Sequence, residues 1–395
     1  MTDPLGQSQV LPYLAGLSKL GYSFTVLSFE KKERYNAQKD VIKQIMAASG
    51  IKWVPLSFTK RPPILSKFYD AVRMKRKAFA LEKQHHFDMV HCRSYIAADI
   101  GLKMKQFFGN KFFFDMRGFW ADEKRDGGAW NDDHFVFSRV YKYYKKKESE
   151  YLQHADHIIS LTEAGKKELQ TWAAYNAKVP ITVIPCCADM QHFTAGNAGE
   201  KKAARSKLGI GSEKLVISYL GSIGAWYMLD EMLILFNHIK IAYPDAFFLF
   251  VTHSDGNFIK GKAIQKGINP ADLYITEASR QEVAFFMKAS DINVSFIKPV
   301  YSKISSSPTK LGEVLSMGIP VIVNAGVGDV EDVVKGACAG FVLKDFNEQN
   351  YLQAVEQIPL LLNKDPHCLR SRIRDTFSLD TGIQKYEKAY AQTFQ

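Results

Sequence analysis

The sequence has 395 residues, a length that suits two α/β domains better than one. Hydrophobic residues make up 46% of it and charged residues 24%, a balance that excludes disordered and fibrous proteins. The formal net charge is +11, and residues 1–190 carry nearly all of it, with 30 Lys and Arg against 20 Asp and Glu. The first half is therefore expected to meet an anionic partner or surface.

Charge alone leaves the identity of that partner open. Nucleic acid, anionic lipid headgroups and a phosphorylated substrate all fit, and an ordinary solvated, lysine-rich surface is the fourth interpretation. The sequence has no helix-turn-helix, zinc-finger or RNA-binding pattern, so nucleic acid is not an expected partner.

Neither a membrane-spanning pattern nor a disulfide pattern is present. No apolar run approaches the roughly 20 residues that a membrane-spanning helix needs. The five cysteines are scattered without a Cys-x-x-Cys spacing, which argues against a zinc site and a disulfide framework. Residues 1–4 lack the pattern of a signal peptide. We expect a cytoplasmic protein, with peripheral attachment to the inner face of the plasma membrane as an option.

Short β-rich runs alternate with amphipathic stretches through the first half. The pattern predicts strands at residues 23–29, 53–56, 88–92, 111–116, 157–161 and 181–185. It predicts helices near residues 7–20, 35–49, 66–84, 95–107, 135–153 and 163–173. Such alternation is typical of a parallel sheet with crossover helices.

The second half repeats the alternation. Strands are predicted at residues 215–220, 247–251, 273–275, 291–296, 320–323 and 340–343. Helices are predicted near residues 227–241, 258–267, 280–289, 308–317, 329–335, 347–361 and 381–394. The predicted fold class is α/β, with two Rossmann-like doubly wound domains facing a cleft.

The junction between the two domains is predicted from a change in composition. An apolar strand ends at Pro185, a polar stretch follows over residues 194–207, and the next strand starts at Leu215. We therefore predict an N-terminal domain over residues 1–190 and a C-terminal domain over residues 191–380. The last helix, about residues 381–395, is expected to pack back on the first domain.

The first residues hold a glycine turn, residues 3–10, where a Rossmann-like domain would have a buried strand first. A domain that starts on a helix is one interpretation. The favoured expectation is that the first strand of the N-terminal domain is absent from this sequence. A run of about five to seven apolar β-formers is then expected in frame upstream of Met1.

Residues 305–322 hold the strongest candidate site. Ser307 is a predicted N-cap, and Pro308 suits the first helical position. The N-terminus of a helix attracts anions through its free N–H groups and its dipole. The same dipole disfavours a cation in the first turn, so the position of Lys310 is easier to explain if an anion binds beside it. Glu313, three residues on, projects from the same face and is able to accept both hydroxyls of a ribose. A capped surface helix with a Lys310–Glu313 ion pair explains this segment equally well.

Several segments together resemble the retaining glycosyltransferases of family 4, which have the GT-B fold. The donor-binding motif of that family is matched by residues 308–313 and 317–322. The other matches fall in the family's order and span nearly the whole chain; they are residues 3–14, 91–95, 114–120, 184–193 and 219–224.

The resemblance implies a metal-independent transfer of a sugar, with retention, from a nucleoside-diphosphate sugar to a lipid-linked or polysaccharide acceptor. The first domain would then serve the acceptor, the second would bind the donor, and no cofactor is needed. Cell-surface polysaccharide biosynthesis is the expected role. The implied catalytic residues are Arg117, Lys310 and Glu313. The implied donor-binding residues are Gly6, Arg93, Gly221, Ser222, Ile275, Ala278, Ser305, Ser307, Thr309, Lys310, Leu311 and Glu313.

The sequence departs from the family at three places. Ser305 stands where the family has an acidic residue, and residues 221–227 lack the Arg and Lys that the family often uses for phosphate. Arg117 stands where many members have a histidine. We expect Arg117, Arg93 and Lys310 to supply the missing positive charge, because arginine binds phosphate bidentately. The alternative for Arg117 is an ion pair with Asp115 or Asp122.

No Asp-x-Asp motif occurs in the sequence, which favours a metal-independent mechanism. His85, His86 and His91 lack the spacing of metal ligands. No metal site is therefore expected.

Two basic, aromatic-bearing stretches lie in the first half, at residues 67–83 and 139–147. Such helices are able to lie on anionic membranes, so a membrane surface is a further expected partner. A solvated basic face over an aromatic inner face is the competing interpretation.

Two other functions fit parts of the sequence. A nucleotide-sugar epimerase of GT-B shape is one, although the motif at residues 308–313 argues against it. A degenerate, non-catalytic nucleotide-sugar-binding protein is the other, suggested by Ser305 and by the missing Arg and Lys.

Overall fold

The structure is a computed structural model that describes residues 1–131 and 134–395. The chain divides into two compact units. Unit 1 comprises Met1–Arg125, Trp130–Pro185 and Leu379–Gln395, and unit 2 comprises Asp126–Ala129 and Cys186–Ser378.

The strands of unit 1 form two parallel sheets. β1 pairs with β2, while the second sheet has the order β3-β4-β5-β6. The strands are β1 (Thr25–Glu30), β2 (Lys52–Ser57), β3 (Met89–Arg93), β4 (Lys111–Asp115), β5 (His157–Ser160) and β6 (Ile181–Val183).

Helices connect and cover these strands. They are α1 (Pro4–Gln9), α2 (Leu11–Lys19), α3 (Lys32–Ala48), α4 (Pro63–His85), α5 (Tyr95–Phe108), α6 (Trp120–Asp126), α7 (Phe135–His154) and α8 (Glu163–Thr171). The last helix of the chain also belongs to unit 1 and packs on α2 and β5.

The core of unit 1 is aromatic and centres on β4. Phe112, Phe113 and Phe114 are all fully buried, because a strand inside a parallel sheet is covered on both faces. Tyr151 of α7 packs edge-on against Phe114, with ring centroids 5.4 Å apart. β4 is thereby fixed, and with it the polar residues at its carboxyl end.

Unit 2 has one fully parallel sheet with the order β12-β11-β10-β7-β8-β9. Its strands are β7 (Val216–Leu220), β8 (Phe247–Val251), β9 (Leu273–Thr276), β10 (Ile292–Ser295), β11 (Val321–Asn324) and β12 (Gly340–Leu343). The strand order reverses between β7 and β10. The carboxyl ends of these two strands flank the switch point, where doubly wound sheets bind their ligands.

Helices lie on both faces of this sheet over two apolar clusters. They are α9 (Ala198–Lys207), α10 (Leu229–Ala242), α11 (Gly256–Gln265), α12 (Arg280–Met287), α13 (Thr309–Ser316), α14 (Val330–Gly336), α15 (Glu348–Glu356), α16 (Ile358–Leu362), α17 (Pro366–Arg372) and α18 (Arg374–Phe377). Short 3₁₀ turns lie at Pro270–Asp272 and Tyr301–Ser305. The final helix is α19 (Leu379–Thr393).

The α/β prediction with two Rossmann-like halves is confirmed, and each predicted strand is present within two residues of its expected bounds. The helices α6, α9, α17 and α18 were not predicted. Residues 194–207, expected to be a polar junction, instead contain α9. Its signal is a capping box, in which Asn197 and Glu200 bond each other's backbone N–H groups.

Unit 1 departs from the prediction at its start. Residues 3–10 were expected to be a glycine turn, but Pro4–Gln9 form the helix α1. The alternation predicts one sheet for this half, but the strands fall into two, because within the described residues β1 pairs only with β2 and β3 only with β4.

In the part of the chain that the structure describes, no helix has both the length and the apolarity to cross a bilayer.

Candidate functional site

Helix α13 carries Lys310 to the switch point of the unit 2 sheet. The Lys310 ammonium donates a hydrogen bond to the hydroxyl of Tyr219, the fourth residue of β7, over 2.9 Å. Lys310 also lines a cavity of about 20 Å³ together with Asn293 and Ser295 of β10. Lys310 therefore lies at the carboxyl ends of both strands that flank the switch point.

Lys310 and Glu313 are both half-buried, and both are electrostatically perturbed. Desolvation lowers the pKa of Lys310 to about 7, although the Glu313 carboxylate opposes the shift. Desolvation likewise raises the pKa of Glu313 to about 7, against the opposing charges of Arg280 and Lys310. Two oppositely charged groups that both titrate near neutrality at a switch point are typical of a functional site.

The alternative interpretation of this segment, a Lys310–Glu313 ion pair, is not what the structure shows, since the hydrogen bond of Lys310 goes to Tyr219. The predicted N-cap role of Ser307 is wrong as well. α13 begins one residue later than predicted, with Pro308 at the N-cap. The Ser307 hydroxyl instead accepts a hydrogen bond from the Cys186 N–H over 3.0 Å, and so ties residues 186 and 307 together within unit 2.

The other predicted residues of the segment 305–322 differ in their burial and in their hydrogen bonds. The hydroxyl of Ser305 is buried and donates to the carbonyl of Ser302 over 3.0 Å. The side chain of Leu311 lies in the core, and its N–H donates to the carbonyl of Pro308. Thr309 is half-buried in the first turn. Leu311, like Lys310, lines the cavity described above.

Gly221 and Ser222 follow β7 directly. Gly221 has a φ of +105°, a left-handed conformation that favours glycine. A Cβ at this position would lie 2.3 Å from Cε of Lys310, so the lysine side chain passes directly over the glycine. The carbonyl of Ser222 accepts a hydrogen bond from the Tyr219 hydroxyl over 2.9 Å. Both residues are thus adjacent to Lys310.

Ile275 and Ala278 lie at and just beyond the carboxyl end of β9, which is separated from β10 by β8 and β7. Ala278 is buried, and α12 begins two residues later with Arg280, the residue whose charge bears on Glu313. The segment is therefore on the same edge of the sheet as Lys310.

In unit 1, Arg93 and Arg117 lie around one buried carboxylate. Arg93 is the last residue of β3 and is opposite Asp115, the last residue of β4. Arg93 donates to Asp115 Oδ2 over 3.5 Å, and a guanidinium nitrogen of Arg117 lies 3.9 Å from Asp115 Oδ1. Neighbouring parallel strands thus bring the two predicted arginines together at one sheet edge.

Asp115 is fully buried and organises this edge. Burial acts to raise its pKa, but Arg117, a hydrogen bond from His91 and Arg93 hold the pKa well below the usual range. The Tyr386 hydroxyl of α19 donates to Asp115 Oδ2 over 3.0 Å. The carboxylate therefore stays ionised and orients the side chains around it.

The predicted alternative for Arg117, an ion pair with Asp115, is present. Asp122, the other suggested partner, accepts hydrogen bonds from Tyr141 and Lys145 instead. Arg117 has a φ of +57°, which is uncommon for a residue with a side chain and clusters at functional sites. The ion pair and a ligand-binding role are compatible at this position.

Gly6 lies inside α1, where a Cβ would be 2.7 Å from the carbonyl oxygen of Met1. Local packing is therefore enough to explain the glycine. Two neighbours of Lys310, Tyr219 and Tyr227, were not predicted as site residues. Tyr219 lies near the carboxyl end of the predicted strand 215–220, whereas Tyr227 lies at the start of a predicted helix, where no pattern marks it as a site residue.

Comparisons with known proteins agree with this architecture. The family model described as Glycosyltransferase Family 4 matches residues 7–192, and the one described as Glycosyl transferases group 1 matches residues 200–374. The two matches together cover most of the sequence. The chain belongs to the GT-B glycosyltransferases.

Solved structures resemble this glycosyltransferase along its whole length. Sucrose-phosphate synthase from Thermosynechococcus elongatus matches with a TM-score of 0.70 and 14% identity, over 94% of this chain and 99% of that one. HepE of Anabaena, in complex with UDP and glucose, matches with a TM-score of 0.66 and 12% identity, over 92% and 98%. WaaG, a glycosyltransferase involved in lipopolysaccharide biosynthesis, matches with a TM-score of 0.65 and 12% identity, over 94% and 100%.

No protein of curated function matches the sequence significantly. At these low identities the structural matches establish the fold, while the family matches establish glycosyl transfer as the class of reaction.

Proposed function

We propose that this glycosyltransferase moves a sugar from a nucleoside-diphosphate sugar to a lipid-linked or polysaccharide acceptor in cell-surface polysaccharide biosynthesis. The observation that carries the proposal is the position of Lys310 and Glu313 at the switch point of unit 2, with a pKa near 7 for each. HepE, of the same fold, binds UDP and glucose. WaaG acts in lipopolysaccharide biosynthesis, which favours an acceptor of that general kind.

Lys310 and Glu313 would hold the two ends of the donor's ribose-diphosphate. As the glycosidic bond breaks, negative charge grows on the diphosphate, and a preorganised ammonium in a partly desolvated site stabilises it strongly. The Glu313 carboxylate, one helical turn further on, would accept the ribose hydroxyls. Backbone groups at Ile275–Ala278 would contact the base, because they lie on the same edge of the sheet.

In unit 1, Arg93 and Arg117 are proposed to bind phosphate oxygens. Their shared contact with Asp115 holds the guanidinium groups in place, and their fork-like donors suit phosphate geometry. Retention and metal independence are part of the proposal. The first follows from the family resemblance. The second is supported by the missing Asp-x-Asp motif and by the cationic groups described above, with no cofactor besides the donor.

An anionic membrane surface is proposed as a partner of unit 1. The helix α5 packs against both α4 and α7, so the three form one layer. Its exposed aromatic residues include Phe68, Phe107 and Phe135, which are 73%, 68% and 68% exposed. Basic residues lie among them, with Lys75 over the Phe107 ring and Arg139 over the Phe135 ring. Mixed aromatic and basic surfaces of this kind bind the membrane interface.

A panel of nucleotide sugars tests the proposed reaction. The true donor should raise the melting temperature of the purified protein, because binding to the folded state stabilises it. With that donor, the anomeric configuration of the released or transferred sugar, followed by NMR, should match that of the donor. The rate should be unchanged by EDTA. Inversion of the anomer would refute retention, loss of activity in EDTA would refute metal independence, and no stabilisation by any nucleotide sugar would refute the donor site.

A further inference from the structure

The side chain of Lys310 packs against Tyr219, Tyr227 and Gly221. The ammonium nitrogen is 2.9 Å from the Tyr219 hydroxyl oxygen, 4.6 Å from the centroid of the Tyr219 ring and 3.5 Å from that of Tyr227. The two rings meet edge-on, with centroids 5.9 Å apart. Gly221 leaves the space over which the lysine methylene groups pass.

Both tyrosines are anchored by the fold. Tyr219 is fully buried in β7 and packs against Phe250 of β8, with ring centroids 5.9 Å apart. Tyr227 forms an isolated antiparallel bridge with Ile297, just beyond β10, and its N–H donates to the carbonyl of Gly224 over 3.1 Å. The neighbouring Met228 N–H donates to the carbonyl of Phe296. The rings are thus attached to both strands of the switch point.

A cation held by aromatic rings differs from one held by a carboxylate. The negative faces of the rings and the hydroxyl oxygen stabilise a partly desolvated ammonium. They carry no net charge, however, and so do not themselves neutralise the positive charge of the protonated lysine. A carboxylate at the same distance would cancel that charge and compete with a phosphate for it.

We propose that Tyr219 and Tyr227 are positioning residues, which hold the Lys310 ammonium at the switch point through their rings and a hydroxyl group, and not through a carboxylate, to receive the diphosphate of the donor. The proposal rests on the donor site proposed above. Residues 221–227 lack the expected Arg and Lys. In this proposal the segment contributes the ring of Tyr227 instead, which holds the cation of Lys310 from α13. Gly221 is required because any side chain there would displace the lysine.

A double-mutant cycle tests this with inorganic pyrophosphate as the probe, its binding measured by isothermal titration calorimetry from pH 6 to pH 9. The variants are Tyr227→Leu, Lys310→Gln and the double variant, with Tyr227→Phe as the conservative replacement that keeps the ring. We expect Tyr227→Leu to weaken binding about fivefold to tenfold, as the loss of one desolvated cation–π contact would. We expect Tyr227→Phe to restore most of that loss. The pH at which binding declines should shift between wild type and Tyr227→Leu.

In the Lys310→Gln background, Tyr227→Leu should cause no further loss, since its effect acts through the lysine. A merely structural role of Tyr227 would weaken binding in both backgrounds, and this outcome would overturn the proposal. Wild-type affinity in Tyr227→Leu would overturn it too, while leaving the donor site intact provided that Lys310→Gln still weakens binding. If Lys310→Gln binds pyrophosphate with wild-type affinity, the donor site proposed above is itself contradicted. Circular dichroism and melting temperature establish that each variant is folded.

Discussion

At the residue scale, the proposed donor site depends on two side chains of one helix. We expect Lys310→Gln and Glu313→Gln each to lower kcat/KM for the donor by a factor that corresponds to about 2–4 kcal/mol, since each removes a charged contact to the transition state. The measurement is steady-state kinetics with the nucleotide sugar that stabilises the wild type. Lys298→Gln is the matched control, because Lys298 is an exposed lysine soon after β10. Wild-type kinetics in both site variants would show that the site is misplaced.

The pKa of Glu313 predicts a dependence of stability on pH. Because its folded pKa is raised to about 7, the stability that its proton contributes is fully present below the unfolded value of 4.5 and is lost as pH rises through 7. Lys310 acts in the opposite sense. Its folded pKa is lowered to about 7, so the stability it contributes is present above the unfolded value of 10.5 and is lost as pH falls through 7.

Glu313→Gln should therefore gain stability relative to wild type as pH rises. Between about pH 5 and pH 8 the difference in free energy of unfolding should grow by on the order of 1–2 kcal/mol, a figure reduced for the partial solvent access of the carboxyl group. Urea denaturation of both proteins across this range measures it. A difference that stays constant with pH would contradict the shifted pKa.

At the element scale, α7 is expected to bind anionic membranes through one face. Its exposed Phe135, Arg139, Lys142, Tyr143 and Lys146 recur at helical spacing. Co-sedimentation with vesicles should rise with the fraction of anionic lipid and fall with salt. Removing three charges by Arg139→Gln, Lys142→Gln and Lys146→Gln together should weaken binding more than tenfold, at about 1 kcal/mol for each charge.

The control for α7 removes the same charge from unit 2, by Lys202→Gln, Lys260→Gln and Lys344→Gln, all of them exposed. It should leave vesicle binding unchanged. Equal loss in both triple variants would mean that net charge, and not the α7 face, drives binding. Vesicle binding that does not change with the fraction of anionic lipid would contradict the membrane proposal.

At the scale of the whole molecule, the C-terminal helix α19 completes the unit formed by the first half of the sequence. Tyr386 and Tyr390 are buried there; Tyr386 donates to Asp115, and the Tyr390 hydroxyl lies 2.7 Å from Nδ1 of His91. A chain that ends at Ser378 loses both aromatic residues, each worth about 3–5 kcal/mol when truncated in a core. Unit 1 should then be digested by protease while unit 2 resists.

A chain that lacks only Phe394 and Gln395 is the control, because Phe394 is half exposed. Its digestion pattern should match that of the full chain. A stable unit 1 in the chain ending at Ser378 would show that α19 is dispensable for its folding.

The sequence by itself determined the alternation of strands and helices, and with it the fold class. Fully buried parallel strands such as β8, all apolar from Phe247 to Val251, are recognisable because both of their faces are covered. The sequence also determined the pair Lys310 and Glu313, because residues three apart on a helix share one face regardless of context. Shorter elements with weak patterns, such as α6 and α17, were missed.

Only the tertiary structure decided what surrounds those residues. Tyr219 and Tyr227 are 91 and 83 positions from Lys310 along the sequence, and no periodicity relates them. Ser307 illustrates the same limit, since its hydroxyl accepts a hydrogen bond from the Cys186 N–H and does not cap the helix that follows it. The shifted pKa values of Lys310 and Glu313 arise from burial by residues of other strands and helices. Local sequence fixes which face a side chain is on, but its solvent access and its partners depend on how distant segments pack together.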